Sequence, residues 1–258
     1  MKRLKEVGLA VVTIGLGLLL IGCGGRGDGE GEVASPAGGA AMETRGDLET
    51  LSNEAAIHAQ PHYQQLQILP SSYIQIDNNG IPARQSIQGS IKGIFSRYDG
   101  QVPLAYADYE IYKYEISYHI VNINTNLTAN FSSFSLIAEL PDGEYRLGIS
   151  DPQSQDNILW EDEPILTGFK TFEIGKTYEY RFLLQEGSYT VLDKEYVTVG
   201  QIRYPAWKIL EISKEGTLLS EEYRWVNPSY GTLRVQLTMS DGKDHSLMFL
   251  EAVLQESH

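Results

Sequence analysis

Residues 112–120 read YKYEISYHI, and this stretch decides the fold class. Tyrosine or isoleucine occupies every second position, and the residues between them are polar: Lys113, Glu115, Ser117 and His119. Successive side chains of a β-strand point to opposite faces, so this alternation predicts a strand with one apolar and one solvent-facing side. A helix would instead repeat its apolar residues every three or four positions.

Two-residue alternation recurs along the chain, whereas helical periodicity is nearly absent after residue 60. The other alternating segments are 134–140, 145–149, 178–184 and 233–239. Pro141-Asp142-Gly143 separates the first two, and it is typical of a tight turn because proline fixes φ and glycine tolerates positive φ. Ser240-Asp241-Gly242-Lys243 likewise predicts a terminal hairpin. The chain is therefore predicted to be all-β, built as an antiparallel β-sandwich.

Four short strings in the first half of this β region resemble the carboxypeptidase regulatory-like module, a transthyretin-like (prealbumin-like) β-sandwich. They are GSIKG at 89–93, VPLAYA at 102–107, FSL at 134–136 and LPDGEYRL at 140–147. The sequence departs from the family at Tyr106, where glycine is usual, and in the loop 122–133, which lacks the family's T-D-x-x-G string. The resemblance implies a transthyretin-like sandwich over 61–152 that serves as an accessory or spacer module and brings no activity with it.

The remaining residues, 153–258, are predicted to form a second β-rich layer or domain. All three tryptophans, Trp160, Trp207 and Trp225, lie in this segment. The polar composition of residues 150–156 favours a domain boundary there, and one continuous β domain with a long loop is the alternative.

The first 22 residues have the pattern of a secretory signal peptide. Lys2, Arg3 and Lys5 precede an apolar stretch of 15 residues, Val7 to Ile21. This stretch is shorter than the roughly 20 residues that a helix needs to span a bilayer. It therefore predicts a removable signal at 1–22 rather than a permanent membrane span.

The end of that segment, Leu20-Ile21-Gly22-Cys23, resembles the bacterial lipobox, and Cys23 is the only cysteine of the chain. In lipoproteins with this motif the thiol carries a diacylglyceryl group and the signal is cut before the cysteine. The new amino terminus is then acylated, for example with palmitate. The resemblance implies cleavage between Gly22 and Cys23, and a lipid anchor on Cys23 in the membrane of a bacterial cell envelope. Gly24, in place of aspartate, implies the outer rather than the inner membrane in a host with two membranes.

Residues 23–60 are rich in glycine, alanine and acidic residues and lack apolar periodicity. Such a stretch cannot bury enough apolar surface to offset chain entropy, so it predicts a disordered acidic tether. The whole chain has a formal net charge of −14. An acidic protein of this kind is not suited to nucleic acid as a partner.

The sequence contains no nucleophile-elbow, phosphate-loop or complete calcium-loop motif. His58 and His62 are four residues apart, but Pro61 opposes the helix that would bring them together, so no metal site is predicted. The acidic string Glu161-Asp162-Glu163 is predicted to be a solvated loop rather than a set of calcium ligands. We therefore predict no enzyme activity and no cofactor.

Tyrosine outnumbers phenylalanine by sixteen to seven. Rings that keep a hydroxyl suit half-buried sheet faces, or surfaces that stack on sugars and peptides. The predicted function is a non-enzymatic envelope lipoprotein whose β body binds or spaces protein or glycan components of the envelope. The alternative is a carbohydrate- or peptidoglycan-binding (or processing) module that uses Tyr112, Tyr114 and Tyr118 as stacking rings, and a third is an adhesin-like spacer.

Overall fold

A computed structural model describes residues 42–54, 62–78, 81–151, 157–182, 185–241 and 246–255. The predicted signal peptide, Cys23 and the tether residues 23–41 and 55–60 lie outside these ranges. The described residues form fourteen strands: β1 (Glu43–Thr44), β2 (His62–Ile68), β3 (Tyr73–Asn78), β4 (Ile81–Arg97), β5 (Ile111–Asn122), β6 (Thr128–Leu140), β7 (Gly143–Ser150), β8 (Ile158–Phe169), β9 (Thr177–Phe182), β10 (Gln185–Val199), β11 (Ile202–Glu215), β12 (Leu218–Asn227), β13 (Gly231–Ser240) and β14 (Ser246–Leu254). One single-turn 3-10 helix, Leu104–Tyr106, accompanies them, and no helix within these ranges is long and apolar enough to span a bilayer.

All of these strands belong to one sheet, in the order β8-β7-β6-β5-β4-β2-β14-β13-β12-β11-β10-β9, with β3 beside β4 and β14 and β1 beside β11. Every pairing is antiparallel except that of the two-residue β1 with β11. The all-β, antiparallel, sandwich-like class is therefore confirmed. Strands from both predicted segments, 61–152 and 153–258, share the sheet, and their division into two domains stays a prediction.

The predicted hairpins are confirmed. Leu140 pairs with Gly143, so Pro141 and Asp142 form the two-residue turn between β6 and β7. At the carboxyl end of the chain, β13 pairs with β14 in an antiparallel ladder, and residues 242–245 of the predicted turn lie outside the described residues.

The stretch 112–120 lies in β5 and alternates as predicted. Tyr114, Ile116 and Tyr118 are buried in a main core to which β2, β4, β6, β13 and β14 also contribute. Strands at the two ends of the sheet also meet, since the Tyr189 hydroxyl on β10 donates to the Leu166 carbonyl on β8 at 2.6 Å. The sheet thus folds back on itself and encloses one of its faces.

The outer face of β6 and β7 is covered as well. Residues 98–110 cross it and pack Tyr106 against Leu136 and Leu147 in a separate core. The Tyr106 hydroxyl donates to the Glu161 carbonyl on β8 at 2.7 Å and so ties the crossing segment to the sheet.

Residues 42–54, which composition places in the disordered tether, instead pack on β10 and β11. Trp207 Nε1 donates to the Ser52 carbonyl at 2.8 Å. Lys194 Nζ donates to the Leu51 carbonyl at 3.4 Å and lies 4.4 Å from the Trp207 ring centroid. The structure differs from the prediction here because side-chain donors on the body satisfy the carbonyl groups of this segment.

We expect Gly89→Ala to destabilise the fold. Gly89, on β4, has φ +145°, and a Cβ there would lie 1.8 Å from the His119 carbonyl oxygen on β5. The rare backbone conformation alone costs about 1–3 kcal/mol, and the clash adds to it. Urea denaturation with linear extrapolation measures the loss.

Gly216→Ala is the matched control. Gly216 has φ +60°, and a Cβ there meets nothing within 4 Å, so only the conformational cost of about 1–2 kcal/mol applies. Equal losses of unfolding free energy in Gly89→Ala and Gly216→Ala would contradict the close approach of β4 and β5 at Gly89.

Candidate functional site

A surface groove with a volume of about 610 Å³ crosses four neighbouring strands, β2, β4, β5 and β6. Its volume lies within the range of about 300–1,000 Å³ that is usual for ligand pockets. We call it the polar groove; it is lined by Gln65, Ser90, Lys92, Ser117, Tyr118, His119, Asn130, Phe131 and Ser132.

The strand register aligns the polar lining residues in two cross-strand rows on the outer face of the sheet. The first row consists of Gln65, Lys92, Ser117 and Ser132. The second consists of Ser90, His119 and Asn130. Facing residues of neighbouring strands lie about 4.5–5.5 Å apart at Cβ, so each row is a continuous strip of hydrogen-bonding groups.

Hydrogen bonds orient the side chains of the groove. His119 Nδ1 donates to Asn130 Oδ1 at 2.7 Å, which leaves Nε2 as the ring nitrogen for other contacts. Gln65 Oε1 accepts the Tyr63 hydroxyl at 2.5 Å, and Gln65 Nε2 donates to Gln255 Oε1 at the same distance. The amide of Gln65 is therefore held at both ends.

Two exposed apolar side chains border the polar groove. Tyr63 and Ile94 face each other across β2 and β4 and are 57% and 44% exposed. Tyr63 and Ile94 are each two residues from the pair Gln65 and Lys92, so all four side chains lie on the same face of the sheet. An exposed phenol ring thus stands beside a row of amide, amine and hydroxyl groups.

The three rings predicted to stack on ligands lie mostly in the interior. Tyr114 and Tyr118 are only 8% and 9% exposed, and Tyr112 is half-buried and stacked on Phe95 with centroids 5.1 Å apart. Burial raises the pKa of the Tyr118 hydroxyl well above its usual value, and the nearby Glu222 carboxyl adds to the shift. Of the three, only Tyr118 lines the polar groove.

Sequence reasoning missed Tyr63, although a signal was present. In the string HYQQLQI at 62–68, Leu66 and Ile68 alternate with polar residues. Leu66 and Ile68 are buried in the main core, which places Tyr63, Gln65 and Gln67 on the opposite face.

A second concentration of polar groups lies inside the fold, between β7, β8 and the strands β9 to β12. We call it the buried charge cluster: Glu144, Arg146, Glu161, Tyr180, Tyr189, Glu211, Glu222 and Arg224. Arg224 bonds to Glu211 through Nη2, and its Nε lies 2.9 Å from Glu222 Oε1. The Tyr180 hydroxyl donates to Glu211 Oε1 at 2.6 Å.

Charge balance in the buried charge cluster favours protonated carboxyl groups. Two guanidinium groups face four carboxyl groups, and an uncompensated buried charge is strongly unfavourable. Burial raises the pKa of Glu144 to about 8 and that of Glu222 to about 8. Burial also raises the pKa of Glu161 to about 6, with Arg146 opposing the shift.

The prediction of a solvated loop at Glu161-Asp162-Glu163 is wrong. These residues belong to β8, and Arg146 Nε donates to Glu161 Oε1 at 2.9 Å in a buried ion pair. The partner of Glu161 lies on a neighbouring strand, so the acidic string alone does not indicate burial.

The buried charge cluster has no room for a substrate. The cavity bounded by Thr167, Tyr189 and Arg224 has a volume of about 10 Å³, which is about the smallest space that can hold one water molecule. Among the described residues, no group of three or more His, Cys, Asp or Glu side chains is arranged to hold a metal ion. The cluster is therefore a structural network, and the polar groove is the candidate binding site.

No protein-family model, no curated protein and no solved structure matches this chain. The resemblances to the lipobox and to the carboxypeptidase regulatory-like module stay predictions.

We expect the free energy of unfolding to decrease as pH rises from about 5 to 8. The folded state keeps protons on Glu144 and Glu222, whose pKa is about 8, while the unfolded chain loses them near pH ~4.3. The contribution of these two groups to the free energy of unfolding is fully present below the pKa of the unfolded chain. As pH rises from there to the folded pKa, the free energy of unfolding falls by about 1.4 kcal/mol per pH unit for each group. Glu222→Gln should make this dependence shallower, as measured by urea denaturation at pH 5, 6, 7 and 8.

Glu221→Gln is the control, because Glu221 directly precedes Glu222 in β12 and its side chain faces away from the cluster. It should keep the wild-type slope. Parallel stability curves for wild type and Glu222→Gln would contradict the proton held on Glu222.

Proposed function

We propose that this chain is a non-enzymatic lipoprotein of the bacterial cell envelope, anchored by lipid on Cys23, whose all-β body binds or spaces other envelope components. The observation that carries the proposal is the string Leu20-Ile21-Gly22-Cys23 after a basic and then apolar segment. Because Cys23 is the only cysteine, no disulfide competes for its thiol.

The described part of the chain supports a binding rather than a catalytic role. The four glutamates of the buried charge cluster have raised pKa values, but the cavity of about 10 Å³ beside them excludes a substrate. The polar groove is large and accessible, but none of its nine lining residues is aspartate, glutamate or cysteine. It offers hydrogen-bonding groups without a paired acid and base.

Replacing Cys23 by serine should abolish lipid attachment, because the hydroxyl does not supply the thiolate nucleophile. Expression with an alkyne-labelled palmitate should show label on the wild-type protein and none on Cys23→Ser, which should accumulate with its signal uncut. A wild-type protein that fractionates with membranes but carries no lipid on Cys23 would overturn the proposal.

Gly24→Asp is the matched variant for the location. It should keep the palmitate label, since Cys23 is intact, and should shift the protein from the outer to the inner membrane in a host with two membranes. Membrane fractionation on a density gradient measures the shift, and an unchanged distribution would contradict the outer-membrane location.

A second candidate function is binding of carbohydrate or peptidoglycan at the polar groove, favoured by the exposed ring of Tyr63 beside the row that contains Gln65 and Lys92. Sugars offer an apolar ring face and a rim of hydroxyl groups. A phenol ring packs on the apolar face of the sugar, and amide and hydroxyl side chains form hydrogen bonds with the sugar hydroxyl groups.

We expect Tyr63→Leu to weaken glycan binding about three- to tenfold by removing the stacking ring. Full-length protein in non-ionic detergent is applied to a glycan array and to purified peptidoglycan. Tyr145→Leu is the control, because Tyr145 lies beside the β6–β7 turn, at the opposite end of β6 from Asn130. Absence of binding to every glycan by the wild-type protein would remove this candidate and leave protein partners.

A further inference from the structure

We propose that the polar groove binds an acidic oligosaccharide, with a sugar carboxylate group paired to Lys92 and a sugar hydroxyl group donating to Nε2 of His119. This inference rests on the carbohydrate-binding candidate above and adds the charge and the path of the ligand.

The first argument is the local charge. The chain has 34 acidic and 20 basic residues, yet the polar groove is lined by one lysine, one histidine and no carboxylate. The net negative charge of the chain repels an anionic ligand, so a site for such a ligand needs a lining without carboxylate groups. The polar groove is such a place.

The second argument is the surroundings of Lys92. Its cross-strand neighbours are Gln65 and Ser117, and its neighbours on the same face of β4 are Ser90 and Ile94. None of them is acidic, and Lys92 makes no ion pair with the residues that the structure describes. Its ammonium charge is therefore available to a ligand.

Lys113, on the neighbouring strand β5, shows the contrast. Its Nζ lies 2.8 Å from Glu115 Oε2, so that carboxylate is already paired with a lysine. Glu115 is the nearest acidic residue to Lys92 along the strand register, in a diagonal position two residues from Ser117. The sheet thus supplies a partner for Lys113 and none for Lys92.

The third argument is the arrangement of the three principal side chains. Tyr63 on β2, Lys92 on β4 and His119 on β5 occupy successive diagonal positions on one face of the sheet. Diagonal neighbours lie about 7–8 Å apart, so the three side chains span roughly 15 Å in a line. A line of this length fits a chain of sugars rather than a single one.

The hydroxyl and amide groups beside this diagonal complete the site. Ser90 and Ser117 lie on either side of the line from Lys92 to His119, and Asn130 orients the imidazole. A serine hydroxyl both donates and accepts, which suits the mixed hydrogen bonding of sugar hydroxyl groups. The polar groove thus has a ring beside it for one sugar face, the Lys92 ammonium for a carboxylate, and an imidazole nitrogen and serine hydroxyl groups for the sugar hydroxyl groups.

The test compares two ligands with the same sugar chain, one with free carboxylate groups and one with neutral methyl esters. Oligogalacturonate and its fully methyl-esterified form are titrated into full-length protein in non-ionic detergent by calorimetry, alongside the glycan array. The wild-type protein should bind the acid more tightly than the ester. Lys92→Gln should weaken acid binding at least about threefold and leave ester binding unchanged.

Lys214→Gln is the matched control, because it removes the same charge from an exposed position on β11, outside the groove. It should bind like wild type. Equal affinity of the wild type for acid and ester would overturn the inference while leaving carbohydrate binding intact. Failure to bind any glycan would instead remove both.

Discussion

The strand register across β2, β4, β5 and β6 is the constraint on which the core and the polar groove both depend. Leu66, Ile91 and Tyr118 face each other on the enclosed side, and the residues next to them in each strand face outward. Because side chains alternate with a period of two, a slip of one residue would exchange the two faces completely. Burial of the main core therefore also fixes which hydroxyl, amide and amine groups line the groove.

The enclosed space is apolar at one end and charged at the other. Arg224 lies between Glu211 and Glu222, and removing one partner from such a group leaves an uncompensated buried charge. Partly protonated carboxyl groups lower that cost, so the interior holds its network without an equal number of cations. Polar contacts join β9, β11 and β12 to one another and β10 to β8. The strands β2, β4 and β5 are instead held by apolar packing.

Local patterns predicted much of the fold and little of the candidate site. Strand β5 and the turn at Pro141 follow from alternation and turn chemistry within a few residues of sequence. The exposure of Tyr63 and the burial of Glu161 depend on strands that are distant in sequence or on a partner such as Arg146. Composition alone predicts that the segment 42–54 belongs to the tether, because the Trp207 side chain that anchors it lies about 150 residues further along the chain.

The sequence by itself determined the all-β class, the two hairpins and the motif around Cys23, since each is a property of neighbouring residues. Only the tertiary structure decided which tyrosines are buried, which carboxyl groups share a guanidinium, and where a lysine has no acidic residue directly opposite it. The physical reason is that alternation is written along one strand, while exposure and charge pairing arise between strands that the register brings together.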